Sequence, residues 1–134
     1  MSEAPSRLGP PPTAEDIAGL GERALASVPP HLLQHVRGVA IAVEEMPDDE
    51  TLRDLGIESP WELTGLYSGT PLPHVSVDAP ARLPDLICLY RRPILLEWVE
   101  TDVDLYDLVR NVLVHEIAHH FGFSDHDIGA IEAE

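Results

Sequence analysis

With 134 residues, 44% of them hydrophobic, the chain is long enough for one hydrophobic core and too short for two. Its 8 Lys and Arg face 24 Asp and Glu, a formal net charge of -16 that argues against nucleic acid and anionic membrane as partners. An acidic surface of this kind serves solubility or a preference for basic substrates, and both readings stand at this level. No apolar run approaches the length of a membrane span, and the N-terminus has no basic region leading into an apolar core. The lone cysteine, Cys88, cannot form an internal disulfide and reads as a small core residue. The expectation is a cytoplasmic protein.

Residues 1–12 are polar and proline-rich and read as a disordered tail, leaving 13–134 as a single domain. Thr13 and Asp16 have the spacing of a capping box, and a helix should run from there to about Ser27. Ile17, Leu20, Ala24, Leu25 and Val28 give it one apolar stripe, and Pro29 and Pro30 should stop it. Val36 to Val43 is β-branched and apolar and predicts a buried strand. Thr51 to Leu55 predicts one helical turn closed by Gly56, and Leu63 to Tyr67 a second strand followed by a turn at Ser68 to Pro71. Leu72 to Pro84 lacks periodicity and reads as a surface loop that exposes His74. Leu86 to Tyr90 is the clearest strand. Arg91 and Arg92 follow it, as partners for the many acids or as groups that orient a carboxylate at a site. Ile94 to Val99 reads as strand or turn.

Thr101 to Phe121 predicts the main helix, capped by Thr101 or Asp102. Its second half is apolar almost all round, which predicts burial. It carries His115-Glu116-Ile117-Ala118-His119, followed by Gly122 and Asp125, a pattern H-E-x-x-H-x-x-G-x-x-D. Residues four apart share a helical face, so His115 and His119 can offer two imidazoles to one metal ion. Glu116 lies about 100° round the helix, where it can reach a water without being a ligand. Gly122 accepts the left-handed conformation that ends a helix and would turn the chain back. Asp125 is then the candidate third ligand, with His126 as its rival. Asp125 also suits the first turn of a short final helix, Ser124 to Ala133. Two His and a carboxylate leave a fourth position open, as a catalytic zinc ion requires. Asn111, one turn before His115, is placed to support that ligand, and His120 points off the ligand face toward packing or solvent.

These residues resemble the zincin metallopeptidases. The spacing of His115, His119, Gly122 and Asp125 is similar to the extended metzincin motif with Asp in place of the third His, although no Met follows Asp125. The resemblance is closer to the small, single-domain minimal zincins of bacteria, which also carry G-L-Y-x-G-x-P-L, here Gly65 to Leu72, and L-Y-R-R-P, here Leu89 to Pro93. It implies an α+β fold with a three- or four-stranded sheet packed on the motif helix, and helices at both ends of the chain. It implies one zinc ion held by His115, His119 and Asp125, with Glu116 as general base in peptide-bond hydrolysis. It also implies an edge strand that receives extended peptide. Gly65 to Tyr67 is the candidate, and an internal hairpin strand is the competing reading. Tyr67 or Tyr90 is a candidate oxyanion donor. A peptide or protein substrate is the expected partner. The alternatives are a zinc-binding adaptor without turnover and a structural zinc site in an interaction domain.

Overall fold

Thr13 opens the first helix in the way its spacing requires. Its N–H donates to Asp16 Oδ2 at 2.8 Å, and the Asp16 N–H donates to Thr13 Oγ1 at 3.1 Å. The computed structural model describes residues 9–34, 38–69 and 85–122. Helix α1 spans Ala14–Ala26 and buries Ile17, Gly21 and Ala24. It ends ahead of Pro29, as predicted, and the next helix begins at once with Pro30. That residue can open the short α2, Pro30–Leu33, because a proline in the first turn lacks only an N–H that would have no helical partner anyway. The tail proposed for 1–12 lies partly outside the described residues. At its end, Pro12 is buried and its carbonyl accepts from Arg91 Nε at 2.8 Å.

Strand β1, Ala40–Glu44, begins later than the apolar run suggests, after Gly38 at φ +42°. Asp48 caps α3, Asp49–Leu55, and Gly56 closes it at φ +70°. A 3-10 turn at Pro60–Glu62 leads into β2, Gly65–Ser68. Strand β3 is Leu86–Tyr90, with the bounds its sequence predicts. The sheet has the order β1-β3-β2, β1 parallel and β2 antiparallel to β3.

Ile94–Val99 is neither strand nor turn. It lies within helix α4, Arg91–Thr101. Pro93 falls in the first turn, where its missing N–H costs nothing. A short continuous apolar run cannot be separated from a strand by periodicity, and this helix leaves Leu96 and Val99 exposed while burying Ile94 and Trp98. The main helix, α5, is Leu105–His120 and is shorter than predicted. Thr101 belongs to α4, its Oγ1 donating to the Glu97 carbonyl at 2.7 Å. Asp102 then turns left-handed at φ 60°, and Asp104 caps α5 by accepting from the Asp107 N–H at 3.1 Å.

The fold is therefore α+β, with α1 and α5 on one face of the sheet. Ile87 and Leu89 of β3 point into the core with Ile17, Leu105, Leu113, Val114 and Ile117. The turn at Ser68 to Pro71 and the loop at Leu72 to Pro84 fall largely outside the described residues, as does the predicted final helix. No helix among the described residues is long and apolar enough to cross a membrane.

Candidate functional site

Helix α5 presents its motif between the free edge of β2 and the cleft beside α4. The Tyr90 N–H donates to the Thr64 carbonyl at 2.9 Å, so Thr64, Leu66 and Ser68 turn their backbone groups toward β3. Gly65 and Tyr67 turn theirs to the opposite edge, where α5 lies. Among the described residues β2 is an edge strand, not an internal one. The approach is close. A Cβ on Gly65 would stand 2.6 Å from Val112 Cγ1 and 3.7 Å from Glu116 Cγ.

Glu116 is half-buried at this junction, and its Oε1 accepts the Tyr67 N–H at 3.2 Å. Burial pushes its carboxyl above the ordinary carboxylate range. The Tyr67 N–H and, after it, the neighbouring His119 and His115 pull it back only in part. A carboxylate in this state is suited to accept a proton and release it again.

His115 and His119 sit side by side, their ring centroids 6.0 Å apart and inclined at 73°. His115 Nδ1 lies 2.9 Å from the Asn111 carbonyl. A carbonyl can only accept, so Nδ1 carries the proton and Nε2 is the nitrogen with the lone pair a metal takes. Asn111 thus supports His115 through its backbone rather than its side chain. The donor chemistry fits a zinc ion as far as these two imidazoles reach. Among the described residues no three His, Cys, Asp or Glu side chains converge as a metal site. Gly122 does turn left-handed, at φ +78°. Asp125 and His126, the candidates for the third ligand, lie outside the described residues.

The helix is not apolar all round. Asp107, Asn111 and His119 are exposed and His115 is half-buried. Their spacing of four residues aligns them in one open stripe. Solvent can therefore satisfy the imidazoles, and burial by itself does not demand a cation. His120 stacks on the Tyr67 ring at 4.0 Å and 25°, with Phe121 edge-on to both.

Neither oxyanion candidate offers its hydroxyl to the motif. The Tyr67 hydroxyl donates to Asp85 Oδ2, a buried pairing, and burial followed by that carboxylate raises the phenol's pKa. Tyr90 alternates with Leu89 and so faces the far side of the sheet. There burial raises its pKa, with further contributions from Cys88, Glu44 and Asp48. Arg91 and Arg92 both pair with Glu45, at 2.8 and 3.2 Å, as their reading as partners of acids predicts. Sequence reasoning missed Asp85, Glu97 and the Tyr67 amide. A polar residue at the head of an apolar strand was the available signal for Asp85, and nothing local signals the other two.

A family model described as zincin-like metallopeptidase matches residues 36–134. The chain belongs to this family. The family match and the α+β architecture agree with the resemblance read from the three motifs, and the zincin-like region runs from before β1 through the motif helix. No curated protein matches the chain. In zincin-like terms, the edge strand, the carboxylate and the two imidazoles now have defined relative positions.

Proposed function

We propose that this zincin-like protein hydrolyses peptide bonds with one zinc ion as cofactor, and that its partners are peptide or protein substrates in the cytoplasm. His115 and His119 would hold the ion from one face of α5, with Asp125 as third ligand beyond the turn at Gly122. The observation that carries the reading is the placement of Glu116. It is half-buried, held by the Tyr67 N–H at 3.2 Å, and adjacent to both imidazoles.

Zinc, when bound, supplies polarisation of a carbonyl and a lowered pKa for a water molecule. The protein's own part is proton transfer and alignment. Glu116 takes a proton from the attacking water as the new C–O bond forms. It returns that proton to the leaving nitrogen as the C–N bond breaks. The Tyr67 N–H fixes which carboxylate oxygen stays on the strand, so Oε2 is the oxygen left to move the proton. The position of β2 at the sheet edge among the described residues supports binding of extended peptide through the backbone of Gly65.

The test is zinc content and peptide hydrolysis in wild type and Glu116→Gln. About one zinc per chain is expected in both, because Glu116 is not a ligand. Hydrolysis should be present in wild type alone. Zinc retained by a wild type that cleaves no peptide would favour the zinc-binding adaptor. Zinc lost from Glu116→Gln would overturn the assigned role.

A further inference from the structure

The cleft on the α4 side of the motif is larger than the motif needs. A cavity of about 130 Å³ is lined by Thr64, Glu97, Asn111, Val112, His115 and Glu116. A second, of about 420 Å³, shares Glu97 and Asn111 as walls and continues along α5 past Thr101, Val103, Asp107 and Leu108. The two adjoin at Glu97 and Asn111, along a groove between α4 and α5 that has the motif at one end. The larger part is of ligand-binding size, and the smaller part alone is not.

The chemistry of the walls is specific. Val103 and Leu108 are apolar, and Glu97 and Asp107 are acidic. Among the described residues no hydrogen bond or ion pair reaches the Glu97 carboxylate, only the Glu97 backbone carbonyl being engaged. Glu97 is half-buried and stands on the wall that the two cavities share. The cation in the lining, Arg110, is drawn off toward α1, its Nε donating to Ser27 Oγ at 2.9 Å. An apolar trough with a carboxylate on its wall matches a long aliphatic stem that ends in a cation. The net charge of -16 would draw such a group in from solution.

We infer that the α4–α5 groove is a subsite for a lysine or arginine side chain of the bound peptide, with Glu97 as its specificity-determining residue. The inference rests on the peptide-hydrolysis reading for its setting, and its test includes a readout that does not require turnover.

The probes are fluorescein-labelled, alanine-rich nonapeptides with lysine, norleucine or glutamate scanned singly through the sequence. Binding is read by anisotropy on zinc-loaded Glu116→Gln, and cleavage on the zinc-loaded wild type. At one position lysine should bind at least tenfold tighter than norleucine, and glutamate weakest. Adding Glu97→Gln should bring lysine and norleucine level, and Glu97→Lys should invert the order of lysine and glutamate. Wild-type kcat/KM should follow the same ranking. A lysine preference that survives both Glu97 substitutions, or no preference at any position, would overturn the subsite. If no peptide is cleaved while the Glu97-dependent binding order holds, the hydrolysis reading fails and the subsite stands. Glu97 sits on the outer part of a helix, and circular dichroism of both variants verifies that the fold is kept.

Discussion

The Tyr67 N–H and Glu116 Oε1 are 3.2 Å apart, although the two residues are 49 positions apart in the chain. This hydrogen bond joins the edge strand to the motif helix at the carboxylate proposed as the base. It takes one of the two outward-facing N–H groups of β2, and the Gly65 N–H is the other.

Gly65 makes that contact possible, and its replacement should be costly. A Cβ there would stand 2.6 Å from Val112 Cγ1, on a buried wall that cannot retreat freely. Gly65→Ala should destabilise by about 1–3 kcal/mol, the usual cost of overpacking a core. Val112→Ala should also destabilise alone, but the double variant should lose less than the sum of the two. Urea denaturation of the four proteins measures this coupling, and strict additivity would show that the contact does not set the spacing.

Tyr67→Phe should keep the stack on His120 while leaving the buried Asp85 carboxylate without its phenol donor. A loss of about 1.5–3 kcal/mol is expected for a hydrogen bond to a charged group. In an Asp85→Asn background the same substitution should cost less. An equal cost in both backgrounds, read from chemical denaturation, would remove the pairing from the account.

Zinc affinity should separate the two candidates for third ligand. Asp125→Ala should weaken binding by about tenfold or more, since two neutral imidazoles hold the ion poorly. His126→Ala should leave it nearly unchanged, because adjacent side chains in the final helix that the sequence predicts would diverge by about 100°. Competitive chelator titration compares both variants with wild type. The reverse result would assign His126 to the metal and Asp125 to the helix terminus.

Cys88 should react slowly with alkylating reagents. Burial, with Glu44 nearby, raises its thiol pKa to about 11. The thiolate is the reactive form, so a raised pKa depletes the nucleophile at any pH below it. At pH 8 the rate with iodoacetamide should be roughly two-hundredfold below that of a free thiol, whose pKa is about 8.5. It should climb steadily as pH rises toward 11. A rate equal to that of free cysteine at pH 8 would contradict the burial.

Several features are legible in the amino-acid sequence by itself, because their causes act over a few residues. The capping box at Thr13 and Asp16 needs only a spacing of three. The pairing of His115 with His119 on one face needs only a spacing of four, and the stop at Gly122 needs only a residue that tolerates positive φ. Strand β3 is bounded by its own composition. The relations that make these pieces a site belong to the tertiary structure. The parity of β2 against β3 sends the Tyr67 N–H to Glu116, and the same alternation sends Tyr90 to the far face. The left-handed Asp102 ends α4, a helix where a strand or turn is expected, and sets it off from α5, with the groove between them. Such outcomes depend on register and packing between segments far apart in the chain, which local propensity does not encode.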